Sequence, residues 1–406
     1  ARQSRITECG GCRGNSCLGN DEMIEYLIWL QTALGAGNPR GARALDKIGS
    51  AEQIYKMNDT ERRQSGLFTP KDLEMLSNTK LGEAKAIEKE CRRHGITLLA
   101  YGDNKYPEKL RVIAAPPVLL YLKGKLPNVD ETPTVCIVGP RKSSEFGQKA
   151  AYSLGYRLAS AGMTVVSGGA RGSDFYAHSG ALKAEGKTVL VMGCGIESDY
   201  LPENAALRRA VAEDGCLVSE YPPFEGASKY TFPVRNRLMS ALADTVIITE
   251  AGMRSGALNT ANHALNQGKE IFVIPGSPAD ENYAGSNALL RDGARPLLDI
   301  SDILNEYLPR YPDKIDIEKA IKKRAKPVEE RAAKPEKTEV HKKLSIETLS
   351  NEAKIVYNQL NKPIFYPDEI NNTSLVPGDI LSALTELEIE GLIRSLPGGR
   401  YELIKN

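Results

Sequence analysis

Six short apolar runs, separated by stretches with helical spacing, dominate the chain after Thr134. They read TVCIVG, MTVVSG, KTVLVMG, CLVSEY, TVIITEA and EIFVIPG. Strands that are apolar on both faces are typical of parallel sheets, because the helices between them cover the sheet on each side. The pattern therefore predicts an α/β fold with a Rossmann-like, doubly wound and mainly parallel sheet.

Changes in composition divide the rest of the 406 residues. We predict a leader without regular structure over 1–20, a small helical domain with a connector over 21–125, the sheet domain over 126–308, a charged linker over 309–343 and a winged-helix domain over 344–406. Within the helical domain, LGAGNPRGARAL resembles a helix-hairpin-helix, and the domain is predicted to be sterile-alpha-motif-like or helix-hairpin-helix-like. Such a hairpin presents backbone N–H groups to a phosphate. A plain helical packing module is the alternative.

Seven cysteines are present, and three of them, Cys9, Cys12 and Cys17, lie in the Gly-rich leader. A metal site there would need a fourth ligand and a scaffold, and no histidine is near, so we expect no metal. The other four are predicted to be small buried hydrophobic residues: Cys91, Cys136, Cys194 and Cys216.

The two C-terminal segments carry opposite charge. Residues 310–343 hold 12 Lys and Arg against 7 Asp and Glu, whereas residues 344–406 hold 5 against 9. No Lys or Arg lies between Lys362 and Arg394, where the DNA-reading helix of a winged helix would fall. Because groove reading and phosphate contacts both draw on these side chains, we expect the winged helix to bind protein rather than duplex DNA. The linker is predicted to be a flexible tether, with polyanion contact as the alternative.

The net charge of +1 means that any basic binding site must be local. No apolar run approaches the roughly 20 residues of a membrane span, and no signal-peptide pattern opens the chain. We therefore predict a cytoplasmic location without membrane contact.

Ligands of open parallel sheets bind beyond the carboxyl ends of the strands, so the loops at that edge form the candidate site. GPRKSSEFG follows the first strand, SGGARGSD the second, EYPPFEGASKYTFPVRNR the fourth and EAGMRSGALNT the fifth. They bring arginines, small hydroxyls and glycines to one edge. The candidate binding residues are Gly139, Arg141, Lys142, Ser143, Ser144, Ser167, Gly168, Gly169, Arg171, Gly172, Phe232, Arg235, Asn236, Arg237, Glu250, Arg254, Ser255, Gly256, Leu258 and Thr260.

This combination fits phosphates, since glycine allows close backbone approach and arginine gives permanent, bidentate contacts. No G-x-x-x-x-G-K-[S/T] occurs, and Gly139 and Gly147 are too far apart for G-x-G-x-x-G. Glu220 and Glu250 end strands near the arginines, and we expect them to pair with arginines rather than to act as bases. The loops thus predict phosphate binding with no catalytic residue, no cofactor and no metal.

A ligand that spans several loops is more extended than a single nucleotide. Four aromatic residues in the loop after the fourth strand offer surfaces on which bases could stack, namely Tyr221, Phe224, Tyr230 and Phe232. Single-stranded nucleic acid is therefore the predicted ligand.

Many of these segments resemble one family in order. IVGPRKSSEFG, VVSGGARGSDFYAH, LVMGCGIESDYLPEN, FPVRNRLMSALAD, EAGMRSGALNTANHAL and VIPGS are similar to the motifs of the DNA-processing protein A family (DprA, also called Smf). The resemblance implies a single-stranded DNA-binding protein that is not an enzyme. Such a protein protects incoming DNA during natural transformation and loads the RecA recombinase onto it.

The resemblance also carries the family's binding arginines onto Arg141, Arg171, Arg235 and Arg237. Family members commonly have Thr or Ser where this chain has Pro140, which removes a hydroxyl and a backbone N–H from the first loop. The family further implies a homodimer through the sheet domain.

Residues of GSNALLRDGARPLLDI are the predicted dimer surface. Neighbours on a helix point about 100° apart, so Leu289 and Leu290 are not expected to face one core, and Leu297 adds apolar surface nearby. Burial under the linker is the alternative.

A second functional class remains open. Enzymes that process nucleotides, and sensors of nucleotides in defence systems, share the Rossmann-like fold. The enzymes with P-G-G-x-G-T-x-x-E have their acid after the glycines, whereas EAGMRSGALNT has its acid before them.

Overall fold

The computed structural model describes residues 21–322, 349–360, 362–370, 375, 377–389, 392–396 and 400–404. The chain divides into two compact units, Ala1–Glu329 and Glu330–Asn406. Cys9, Cys12 and Cys17 lie outside the described residues.

The first unit begins with a cluster of short helices. These are α1 (Asp21–Leu34), α2 (Arg40–Ile48), α3 (Ala51–Lys56), α4 (Asp59–Gln64), α5 (Pro70–Asn78) and α6 (Leu81–Arg93). Asn58 and Thr69 start α4 and α5 with reciprocal capping boxes, which explains the sharp breaks between such short helices. Ile28, Trp29 and Leu30 of α1 are fully buried, so α1 forms the centre of this helical cluster.

The helical cluster leads into a nine-stranded sheet whose strand order is β1-β2-β6-β5-β4-β3-β7-β8-β9. The strands are β1 (Thr97–Ala100), β2 (Leu119–Gly124), β3 (Thr134–Val138), β4 (Thr164–Ser167), β5 (Thr188–Met192), β6 (Cys216–Ser219), β7 (Thr245–Ile248), β8 (Glu270–Val273) and β9 (Arg295–Pro296). Strands β3 to β9 run parallel to one another, and the antiparallel pairs are β1 with β2 and β2 with β6. The predicted mainly parallel sheet is confirmed, and all six apolar runs form its strands.

Helices cover both faces of this sheet. They are α7 (Glu108–Arg111), α8 (Glu145–Ser160), α9 (Ser173–Lys183), α10 (Ala205–Asp214), α11 (Thr231–Leu242), α12 (Gly256–Asn266), α13 (Ala284–Arg291), α14 (Ser301–Tyr307) and α15 (Ile317–Lys322). Strand β3 lies between β4 and β7, so the winding direction reverses at β3 and β7. The carboxyl ends of these two strands open the crevice in which such folds bind ligands.

Two boundaries differ from the sequence-based expectation. Strands β1 and β2 of the expected helical domain and connector extend the central sheet, so this segment is not a separate body. The start of the expected linker is also folded: Tyr311, Ile315 and Ala320 are buried beside α8. The Arg157 guanidinium donates to the Ala320 carbonyl at 3.2 Å, which fixes this segment on the sheet domain.

The second unit has the winged-helix arrangement. Its described elements are α16 (Asn351–Gln359), β10 (Ile364–Phe365), α17 (Pro377–Ile389), β11 (Ile393–Leu396) and β12 (Arg400–Leu403). The three strands are antiparallel in the order β10-β12-β11, and Val356, Leu384 and Leu387 are among its buried core residues. Within the described parts of both units, no helix has the length and apolar character that crossing a membrane requires.

Candidate nucleic-acid interface

A groove of about 820 Å³ opens at the reversal point of the sheet. The loop after β3, the loop after β7 and the first turns of α11 and α12 line it. Three cations line it with exposed side chains, namely Arg141, Lys229 and Arg254. The predicted candidates that line this groove are Gly139, Arg141, Phe232, Arg235, Asn236, Arg254, Ser255, Gly256 and Thr260.

An aromatic ring sits among these cations. The Arg141 guanidinium carbon lies 4.7 Å from the ring centroid of Phe232, and the Tyr200 ring lies 5.0 Å away at an angle of 46°. Phe232 is half-buried in the first turn of α11, so part of the ring faces the groove. A half-exposed ring between a guanidinium and a tyrosine is a surface on which a base can stack.

A second, smaller groove of about 330 Å³ adjoins the first through Arg141, which lines both. Its candidate residues are Arg141, Lys142, Ser143, Arg171 and Gly172. Arg171 is exposed and forms a salt bridge with Glu203, which is also exposed. The two grooves therefore make one path lined by exposed cations.

Position 172, in the second groove, accommodates only glycine. Its φ is +74°, and a Cβ there would lie 2.4 Å from the Pro140 carbonyl oxygen. Both facts exclude a side chain, because the left-handed conformation and the close contact are each unfavourable for other residues. Gly172 thus lets the loops after β3 and β4 meet, which places Arg141 and Arg171 side by side.

Arg235 is placed differently from the expectation of an exposed phosphate ligand. It is only 5% exposed, and its Nη1 donates to the carbonyl oxygens of Gly168, at 2.8 Å, and Val191. Burial lowers the pKa of this guanidinium, and the nearby Asp174 carboxylate counteracts that effect. Burial likewise raises the pKa of Asp174. Arg235 holds the loop after β4 from inside.

Arg237 is also buried, at 7% exposure, and pairs with Glu220 at 2.5 Å. The other Glu220 oxygen accepts the backbone N–H of Gly37 at 3.0 Å. Gly37 lies in the hairpin-like turn between α1 and α2, so a carboxylate of the same chain occupies one of the N–H groups that such a hairpin offers to phosphate. The expected pairing of Glu220 with an arginine is confirmed, and the turn acts here as a packing element.

Among the residues that the structure describes, Glu250 pairs with no arginine, which corrects the expectation for this residue. It is fully buried, and its carboxylate accepts the Ser144 hydroxyl at 2.7 Å and the Ser144 backbone N–H at 3.1 Å. The arginine-rich loops lie close to Glu250 in sequence, but the side chain points under the loop after β3 instead.

Other predicted residues support the loops from within. Ser167 donates its hydroxyl to the Ile137 carbonyl at 2.7 Å, and Asn236 donates to Asn259 at 3.0 Å. Leu258 packs on the apolar core. Neither groove is lined by Ser144, Ser167, Gly168, Gly169, Arg237, Glu250 or Leu258.

The expected dimer surface is largely covered within one chain. Leu297 is 6% exposed and belongs to the core around α8 and α14, so it is not a surface residue. Leu289 and Leu290 are half-buried, and both pack against a different cluster, the one that contains Val246 and Val273. They therefore meet one core, contrary to the argument that they face different directions. Both residues belong to the short helix α13.

Sequence reasoning missed four residues of the path: Asp174, Tyr200, Glu203 and Lys229. Asp174 is the last residue of the SGGARGSD motif and lies next to Arg235. Its position directly after the glycines could have indicated a residue of the site. Tyr200 and Glu203 belong to the segment after β5, which begins at the same carboxyl edge of the sheet as the four predicted loops. Lys229 lies in the loop after β6, and the arginines that follow it in the sequence, Arg235 and Arg237, could have indicated it.

Comparison with known proteins agrees with this architecture. The family model described as DNA recombination-mediator protein A matches residues 97–308, more than half of the chain, and the DprA winged helix domain matches residues 341–399. The chain is 38% identical to the DNA processing protein DprA of Streptococcus pneumoniae over 205 residues, 50% of this chain and 72% of that protein. It is 28% identical to Protein Smf of Synechocystis over 409 residues, 95% of this chain and all of that protein.

A solved structure shows the same fold. The X-ray structure of DNA processing protein A from Streptococcus pneumoniae superposes with a TM-score of 0.61 at 30% identity, covering 70% of this chain and 97% of that chain. The sequence relatives are named DprA or Smf, and this structural neighbour is named DprA. The chain belongs to the DNA recombination-mediator protein A family, whose members are named DprA or Smf.

Proposed function

We propose that this protein binds single-stranded DNA along the two adjoining grooves, without sequence preference. The observation that supports this proposal best is the path of exposed cations that runs past the half-exposed Phe232. Five cations line it, namely Arg141, Lys142, Arg171, Lys229 and Arg254. Cations spaced along a path hold successive phosphates, and a ring beside them takes an unpaired base.

The role of the predicted arginines is divided in this proposal. Arg141, Arg171 and Arg254 contact phosphates, whereas Arg235 and Arg237 position the loops that carry them. Glycines and hydroxyls of the loops bring the backbone close to the strand. Pro140 has no backbone N–H to donate to a phosphate, so the Arg141 guanidinium makes a larger share of the phosphate contact of the first loop.

A binding titration tests the proposal. We expect full-length protein to bind oligo-dT more tightly than duplex DNA of equal length, and to bind dAMP much more weakly than either, at two salt concentrations. Arg141→Ala should weaken oligo-dT binding, while Arg63→Ala, which removes an exposed arginine of α4 in the helical cluster, should not. Equal effects of the two variants would contradict the proposed path.

We further propose that the bound strand is presented to the RecA recombinase during natural transformation, in the cytoplasm, and that the protein is not an enzyme. The family description as a recombination mediator supports the first part. The protein should accelerate RecA filament growth on strands coated with single-strand-binding protein and leave DNA and dAMP chemically intact. Release of free base from dAMP would instead favour the nucleotide-processing alternative.

We propose that a homodimer is the active form and that the winged helix binds a protein. Light scattering of the full-length chain tests the dimer, and a monomeric mass would contradict it. The basis for the winged-helix proposal is its charge of 5 Lys and Arg against 9 Asp and Glu over 344–406. A chain ending at Lys322, which retains the packed segment beside α8, should bind oligo-dT within a few-fold of full length; a hundredfold loss would assign the tail to DNA.

A further inference from the structure

A cleft of about 650 Å³ lies beside strand β1, at one end of the sheet. Residues of α1, α2, α3, α6 and β1 line this cleft, which we call the edge cleft. Its apolar lining residues include Ile24, Leu27, Leu45, Ile96 and Leu98. A volume of this size, lined by both apolar and polar residues, is typical of ligand sites. The edge cleft shares no lining residue with the two grooves of the proposed DNA path.

Strand β1 pairs only with β2, so its other side is a sheet edge. The Tyr101 N–H donates to the Val118 carbonyl on the β2 side at 3.0 Å. Because backbone groups alternate in direction along a strand, the groups of Ala100 point away from β2. The Ala100 N–H accordingly donates to the Asp103 carboxylate at 2.8 Å. Leu98 precedes Ala100 by two residues, so its N–H and C=O point to the same outer side.

This outer side of β1 faces the edge cleft. Just before the strand, the Ile96 N–H donates to the Cys91 carbonyl at 2.9 Å. Cys91 and Asp103, which satisfy the outer side near its two ends, both line the edge cleft. Between them, the outward N–H and C=O of Leu98 have no partner in the part of the chain that the structure describes. An added strand could pair with both groups.

The charged residues of the edge cleft leave an excess of negative charge. Asp46 accepts only the Tyr101 hydroxyl, at 3.4 Å, and Asp103 accepts a backbone N–H. Neither carboxylate forms an ion pair within the described residues. The lining cations Arg92 and Arg111 each pair with a glutamate of their own helix, and the two lining glutamates pair with cations of theirs. The edge cleft therefore suits a cationic ligand.

We propose that the edge cleft binds an extended segment of another protein, in which apolar side chains alternate with or adjoin a Lys or Arg. The segment adds a strand to the sheet by pairing with Leu98. Its apolar side chains pack against Ile24 and Leu27, and its cation lies near Asp46 and Asp103. An acidic segment is repelled by the same carboxylates. This inference does not depend on the proposed DNA binding, since the cleft and the grooves are separate.

Fluorescence anisotropy with the full-length protein tests the charge part of this inference. The probes are two labelled peptides, Lys-Ile-Val-Ile-Lys and Glu-Ile-Val-Ile-Glu, which share their apolar residues and differ in charge. We expect the lysine peptide to bind at least tenfold more tightly than the glutamate peptide at low salt. Equal affinities would overturn the proposal.

N-methylated peptides test the strand pairing. Alternate residues of a strand point their N–H groups in opposite directions, so N-methylation at the second or at the third residue of the lysine peptide should have unequal effects. We expect one of the two to weaken binding by roughly fivefold to tenfold and the other to change it little. Equal effects, or none, would show that binding does not use the sheet edge.

Asp46→Lys tests the location. It should weaken binding of the lysine peptide by roughly fivefold or more. Glu74→Lys is the matched control, because it reverses an exposed carboxylate of α5 outside the edge cleft, and it should leave the affinity unchanged. Similar losses in both variants would place the peptide elsewhere.

Two other occupants are distinguished by the same proteins. Peptide binding that appears only in a chain starting at Asp21 would assign the edge cleft to residues 1–20 of this chain. A lower mass of Asp46→Lys than of wild type in light scattering would assign it to a second copy. Either result would overturn the proposal of a different protein as the partner.

Discussion

Replacing Arg235 by alanine should destabilise the fold much more than it changes the electrostatics of DNA binding. The guanidinium is 5% exposed and donates to the carbonyl oxygens of Gly168 and Val191. Its removal leaves both carbonyl groups without this donor and leaves the buried Asp174 without its nearby positive charge. Removing one partner of such a buried arrangement costs about 3–5 kcal/mol of the free energy of unfolding.

For a domain of this size, that cost corresponds to a fall in Tm of roughly 6–20 °C. Thermal unfolding followed by circular dichroism measures it, with Arg141→Ala as the exposed control. Arg235→Ala, measured well below its lowered Tm, should keep the salt slope of oligo-dT binding, because no phosphate contact is lost. The opposite result would be a variant that melts within about 1 °C of wild type and whose slope of log affinity against log salt is smaller by about 0.7. It would show that Arg235 contacts phosphate directly, so that the proposed positioning role of Arg235 would be wrong.

Three further outcomes follow from the same structure. Arg141→Ala should change the free energy of unfolding by less than about 0.5 kcal/mol and reduce the slope of log affinity against log salt by about 0.7; an unchanged slope would remove Arg141 from the path. Glu203→Gln should strengthen oligo-dT binding by up to about fivefold in a low-salt titration, since Glu203 competes with phosphate for Arg171 and exposed pairs contribute about 0.2–1 kcal/mol; weaker binding would contradict that competition. Burial lowers the pKa of His178 to about 3, so the unfolded chain takes up the proton at a higher pH than the folded chain does. The free energy of unfolding therefore falls as the pH drops from about 6.5 towards 3, by about 2 kcal/mol at pH 5. Urea midpoints at pH 7.5 and pH 5 measure this loss, and His178→Asn should reduce it.

The behaviour of His178 follows from its hydrogen bonds. Its Nδ1 lies 2.7 Å from the Thr188 hydroxyl oxygen, and that hydroxyl already donates to the Val165 carbonyl at 2.8 Å. The Thr188 oxygen is therefore the acceptor and Nδ1 carries the proton of the neutral ring. Nε2 is buried without a partner in the described part of the chain. Burial of the ring opposes a second proton more strongly than the Ser167 backbone favours it, which agrees with the low pKa.

The burial of two arginines on helix α11 shows what the sequence could not reveal about the site. Arg235 and Arg237 point to different sides of this helix, yet both are buried. One side meets the loop after β4 and strand β5, and the other meets Glu220 and the Gly37 turn. The Gly37 turn lies about two hundred positions earlier in the chain, so no local pattern around Phe232 could indicate that it covers Arg237.

The sequence by itself determined the mainly parallel sheet, the edge at which its loops gather and the kind of ligand that those loops suit. These properties depend on local patterns, namely the apolar runs, the glycines that follow them and the residue types in each loop. The tertiary structure alone decided the strand order, the place where the winding reverses and which cations face solvent. Burial is set by neighbours that are distant in sequence, so Arg141, Arg171 and Arg254 remained exposed while Arg235 was enclosed and Glu250 turned towards Ser144.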